Sequence, residues 1–158
     1  MNSIMRDQAN LYEMTRSLRD QMLDSLTDAD LKHTFSGDNV SLGVLCRTLG
    51  DFQQTYIESF KTFKFGEVIP NADSTLETDL TKLKAWFKTL DTELLAALEN
   101  LSEDDIQSKM VDRIHFKLPV TAQFHVYREA LLIFYGKASI YLKALSKPLT
   151  QQWKDWIG

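Results

Sequence analysis

The sequence is poor in cysteine, glycine, proline and histidine, and each shortage excludes something. One cysteine, Cys46, in 158 residues has no partner for an intramolecular disulfide, which fits a reducing compartment. Six glycines and three prolines are too few for the many turns of an all-β fold and favour long helices. The three histidines, His33, His115 and His125, include no pair at i, i+4. Basic residues are outnumbered: a formal charge of −4 and a pI near 5.3 argue against a general nucleic-acid binder, which needs a basic surface to displace counterions. No apolar run approaches the roughly 18 residues of a membrane span. The N-terminus MNSIMRDQAN lacks the apolar core of a secretory signal. A cytoplasmic location is the expectation. Phosphate-loop, dinucleotide and C-x-x-C patterns are absent as well.

Helical periodicity is what the sequence does have. A first segment, from about Ser3 to Leu26, carries a loose stripe of Ile4, Leu11, Leu18 and Met22. LTDADL then reads as a break or a new N-cap, and FSGDN as a loop. A second helix is predicted from Ser41 to about Phe63, with Leu42, Leu45, Leu49, Phe52, Tyr56, Phe60 and Phe63 at steps of three and four. Gly50 inside it marks a position for close helix–helix approach. The third helix opens on a Ser74/Glu77 capping box and runs through Leu76, Leu80, Leu83, Phe87, Leu90 and Leu94 to Leu101.

Residues 102–119 are less regular. Ser102 suits a cap, KMVDRIHFKL is strand-like, and Pro119 presets the start of the next helix. That fourth helix spans about Thr121 to Leu145 on a stripe of Phe124, Tyr127, Leu131, Phe134, Ala138 and Tyr141, and Pro148 closes it. The tail holds one more short helix, with Trp153 and Trp156 available to dock. Four such helices bury their stripes most simply in an all-α four-helix bundle, a single domain over residues 1–158. The connection between the third and fourth helices is long, about twenty residues, as a bundle crossover would be.

The segments LTDADL, SLGVLCRTLGDFQQTYIESF, PVTAQFHVYREALLIFYGKASIYLKAL and PLTQQW, in this order and spacing, resemble the DinB-like proteins, the DinB/YfiT-like superfamily. The resemblance spans nearly the whole chain. It implies a four-helix bundle, often a homodimer, in which three histidines hold zinc or nickel. Relatives include bacterial thiol-dependent transferases and a mycothiol-dependent maleylpyruvate isomerase. The family's second helix reads roughly S-x-G-E-L-x-x-H. Here Ser41, Gly43 and Leu45 match, Val44 replaces the glutamate and Thr48 stands at the histidine. Its fourth helix reads H-x-x-x-H before an R-G-Q-like triplet. Tyr135-Gly136-Lys137 aligns with the triplet, which puts Ala130 and Phe134 at the two histidines. A zinc-type site needs imidazole, thiolate or carboxylate lone pairs. Alanine and phenylalanine have none, and a threonine hydroxyl is a poor ligand. No metal cofactor is therefore expected at these positions.

Two function classes follow. One is a small-molecule-binding or interaction module with a degenerate metal site. The other is a thiol-dependent S-transferase-like enzyme with a relocated metal or polar site. Candidates for the relocated site are Cys46, Asp51, His125, Tyr127 and Glu129, with Glu58 also in reach on the second helix; zinc or nickel enters only in that case. Each has a plainer reading. His125 and Glu129 have the spacing of a surface pair. Cys46 beside the apolar stripe suits an inert buried thiol. Tyr127, Tyr135 and Tyr141 have the spacing of core packing. The acidic pairs at Asp28/Asp30 and Glu103–Asp105 suit helix starts, where carboxylates complement the dipole.

Overall fold

Asn2 starts the first helix: its side chain accepts the Met5 N–H, and its amide donates to the Leu98 and Leu101 carbonyls at 2.7 and 2.8 Å. The computed structural model describes residues 1–158. In chain order the helices are α1 (Ser3–Asp24), the short α2 (Asp28–Leu31), α3 (Leu42–Thr62), α4 (Leu80–Glu99), the short α5 (Glu103–Ser108), α6 (Val120–Ala144) and α7 (Gln151–Trp156). The long helices α1, α3, α4 and α6 form the expected all-α bundle. Helix α3 packs against α4 and α6, and α1 against the same two, so α1 and α3 stand diagonally opposed. One core of 33 buried hydrophobic residues runs through it. No helix is long and apolar enough to cross a membrane.

Local chemistry sets the boundaries. Thr27 and Asp30 form a capping box for α2, and Ser102 and Asp105 form another for α5. The Ser41 hydroxyl accepts the Val44 N–H to begin α3, and Phe63 ends it in the left-handed region at φ 56°. The third helix begins later than its sequence suggests. Ser74–Glu77 is a separate 3-10 turn capped by Asp73, and α4 starts at Leu80 under Asp79. The Glu77 side chain does not reach back to a cap; it pairs with Arg47 of α3 at 2.8 Å.

The strand-like stretch of the crossover is an antiparallel hairpin, β1 (Met110–Asp112) and β2 (Lys117–Pro119), with Val111 opposite Leu118. It is pinned to the end of α3 by Asp112 N–H to Phe63 O and Phe65 N–H to Asp112 O, at 2.9 and 2.8 Å. Arg113 clamps it. Its guanidinium lies 4.1 Å from the Phe65 ring centre and donates at 2.9 Å to Gln123, whose amide donates to Ser59 of α3. Trp153 of α7 is buried and donates from Nε1 to the Leu18 carbonyl at 2.9 Å, whereas Trp156 is 38 % exposed.

Two features of this backbone are open to measurement. A Cβ at Gly43 would lie 1.9 Å from the Glu77 carbonyl oxygen, and one at Gly50 would lie 2.3 Å from the Trp86 ring, so α3 and the α4 region meet at glycine. Gly43→Ala meets backbone and should cost about 1–3 kcal/mol or more in urea unfolding. Gly50→Ala should cost less, because the half-buried Trp86 ring can swing and alanine favours the helix. Ile114, at the hairpin turn, is a β-branched residue at φ 72° and 70 % exposed. Ile114→Gly should raise stability by about 1 kcal/mol, because the left-handed penalty is removed and little burial is lost.

Candidate functional site

Thr48, Ala130 and Phe134, the positions that the resemblance aligns with metal-binding histidines, lie together. They line one hollow of ≈ 180 Å³ between α3 and α6. Leu49, Phe52 and Ile133 complete its apolar wall, and Lys137 is the one ionisable residue in its lining. Leu45 and Phe52 belong to the predicted stripe of α3, yet neither is buried; Phe52 is 39 % exposed. The stripe is wider than the core needs, and its surplus edge becomes the hollow. A wider hollow of ≈ 530 Å³ adjoins it through the shared Leu45 and Lys137, bounded by Phe35, Val40 and Tyr141. There Phe35 stacks on Tyr141 with ring centres 4.8 Å apart, and the Tyr141 hydroxyl donates to the Val40 carbonyl at 2.7 Å.

These residues do not fit a transition-metal ion. Ala130 and Phe134 have no lone pairs. The Thr48 hydroxyl donates to the Val44 carbonyl within its own helix at 2.8 Å. Nowhere do three His, Cys, Asp or Glu side chains stand close enough to hold one ion.

The candidates for a relocated site are scattered. Cys46 is fully buried, and burial pushes its thiol up to about 12. His125 lines a separate small hollow with Ser3, Asp7, Gln8 and Thr121, at the start of α1. Glu129 is exposed, and Glu58 is exposed and paired with Lys61 at 3.0 Å. Tyr127 is a core residue stacked on Tyr56 at 4.9 Å, its hydroxyl without a protein partner. Asp51 is buried and holds the loop before α4: it accepts the Asn71 N–H at 2.8 Å, with Arg47 at 3.8 Å.

The largest polar assembly in the interior is one the periodicity did not reveal. Arg19 of α1, 2 % exposed, makes a two-pronged pair with Asp91 of α4 at 2.9 and 2.5 Å. Gln53 of α3 donates to the same carboxylate at 2.9 Å, and Arg16 donates to it at 3.1 Å. The Arg19 guanidinium also lies 4.5 Å from the Phe87 ring centre. Its only sequence sign is the looseness of the α1 stripe: Leu11 is 38 % exposed, and Thr15 and Arg19 are buried on the face that was expected to be apolar.

With the fold and the hollow in view, comparison with known proteins is direct. The sequence profile of the DinB superfamily matches residues 11–132. The chain belongs to the DinB superfamily. Its fold matches the crystal structure of a DinB-like protein, YjoA, from Bacillus subtilis, with a TM-score of 0.65 over 85 % of this chain and 90 % of that one, at 14 % identity. No curated protein sequence matches the chain. The DinB assignment supports the fold; at this identity the match to YjoA carries no activity across.

Asp51 gives this region a pH signature. Burial raises its carboxyl pKa, against the Asn71 N–H and Arg47, which lower it. A raised carboxyl pKa in the folded state means that the folded chain holds this proton more tightly than the unfolded one. Stability from this group is therefore lost as pH rises through the carboxylate range. Asp51→Asn keeps an acceptor for Asn71 without the buried charge. It should equal or exceed the natural protein in thermal stability at pH 7, with the advantage shrinking toward pH 4. Asp51→Ala, which strips the acceptor, should lose about 1–2 kcal/mol at pH 7.

Proposed function

We propose that this DinB protein is a binding module whose site is the hollow between α3 and α6, with the family's metal position given over to hydrocarbon. The observation that carries the reading is the convergence of Thr48, Ala130 and Phe134 on one open, mostly apolar hollow. Sites for small molecules are commonly concave, apolar and furnished with few polar groups. Binding is favoured over thiol transfer because Cys46 is buried with a raised pKa, so little thiolate forms, and because His125, Glu129 and Asp51 serve different parts of the surface.

The test has two arms. Protein prepared without chelators and supplied with zinc and nickel is expected to carry far less than one equivalent of either by elemental analysis. Stoichiometric metal held by native residues overturns the reading. Titration with benzyl alcohol, a neutral aromatic probe, is expected to shift backbone amide NMR signals around Thr48, Ala130 and Phe134, and Ala130→Trp is expected to abolish those shifts. Signals that do not move, or that move equally in the plugged variant, defeat it.

A second reading has its own observation. Phe52, Ile133 and Ile140 stand exposed around the groove, Ile133 by 63 % and Ile140 by 59 %. A second copy covering them would make the homodimer that the resemblance implies. Sedimentation velocity is expected to show a dimer that Ile133→Glu, Ile140→Glu dissociates. A monomer at all concentrations removes this reading.

A further inference from the structure

The two adjoining hollows differ in charge in a way that selects a ligand. The inner one, ≈ 180 Å³, has a single ionisable residue, Lys137, set among apolar side chains. An apolar protein cavity of about 150 Å³ accommodates benzene, so one six-membered ring fits. Lys137 stands on the boundary shared with the outer hollow. Its ammonium has no carboxylate within 4.0 Å, and it is the one lysine in the lining of either hollow. The outer hollow has Asp38 in its lining, which disfavours an anion deeper on that side and leaves the boundary at Lys137 as the place for one.

Resting on the reading of the hollow as a binding site, we propose that its ligand is an aryl-alkyl monocarboxylate. The ring sits among Leu49, Phe52, Ile133 and Phe134, and a short linker brings the carboxylate to Lys137. The ring supplies the apolar burial. The ammonium fixes the sign of the charge and the orientation. A cation is disfavoured by Lys137 and a second negative charge by Asp38, and a group bulkier than one ring extends beyond the inner hollow.

Calorimetric or NMR titrations of the full chain with 3-phenylpropanoate, 3-phenylpropanol and 3-phenylpropylammonium test this. The carboxylate is expected to bind about fivefold more tightly than the alcohol, the upper end for an exposed ion pair, with the preference falling as salt is added. Lys137→Met should erase the preference, bringing the carboxylate down to the affinity of the alcohol in the same variant. Lys137→Glu should transfer it to the ammonium compound. Equal binding of carboxylate and alcohol, unaltered by Lys137→Met, overturns the carboxylate assignment while leaving the hollow a binding site. No binding of any of the three by a protein that sediments as a monomer overturns both. No binding by a protein that sediments as a dimer, with binding of the neutral 3-phenylpropanol restored by Ile140→Glu, makes the groove a subunit interface and also overturns the assignment.

Discussion

The ion pair between Arg19 and Asp91 is the constraint around which this bundle is arranged. A guanidinium that is 2 % exposed has lost nearly all its water; the two-pronged pair with Asp91 and two further donations to Asp20, at 2.9 and 3.2 Å, offset that loss. Gln53 donates to the same carboxylate, so side chains of α1, α3 and α4 meet at Asp91. Three tyrosines, Tyr12, Tyr127 and Tyr135, are buried. Burial raises the pKa of each well above the ordinary phenol value. They therefore remain neutral. The Arg19–Asp91 knot is thus bordered by uncharged aromatic side chains.

The two sides of α3 are built to different rules. Toward α4 it presents Gly43 and Gly50, at points where an added methyl group would strike Glu77 and Trp86. Toward α6 it presents Leu45, Thr48, Leu49 and Phe52, which meet Phe134 and Ile133 without closing the space. Close approach on one side and bulk on the other follow from residues seven apart on the first side and three to four apart on the second, both set by the helical repeat. The hollow is thus a consequence of the helix sequence rather than of a loop. The Arg113 clamp and the hairpin close the bundle at the end of α3 without contributing to its walls.

Much of the fold could be read in the sequence because apolar side chains at helical spacing announce themselves. Phe124, Tyr127, Leu131, Phe134 and Ala138 are all buried on α6, and the short C-terminal helix docks through Trp153. The reading failed where polar residues took core work. Leu11 fits the α1 periodicity but is partly exposed, while Arg19 is buried because of Asp91, 72 residues away. No local pattern encodes that partner. Ser74 and Glu77 satisfied a capping rule, yet Glu77 is drawn to Arg47, and the helix starts six residues later at Leu80. The candidate site was legible only in part. The alignment brought out Thr48, Ala130 and Phe134, but Lys137 entered as one letter of a triplet, since nothing in a sequence tells an unpaired lysine from a paired one.

What the fold retains and what it changes can be separated on physical grounds. A metal held by three imidazoles selects ligands first by their lone pairs. On the alignment that the resemblance gives, threonine, alanine and phenylalanine stand at those positions and offer no such selection, while α3 and α6 still pack on each other through buried residues such as Leu49 and Phe134. A hollow of this kind selects by size and by the cost of leaving polar groups unpaired. On the proposed reading, the only electrostatic discrimination left is the sign of charge at Lys137. Being exposed, that ammonium acts through a screened, salt-sensitive attraction rather than a coordinate bond. Ligand exchange at such a site is expected to be fast and affinity modest, which suits capture and release of a small molecule better than activation of a bound thiol.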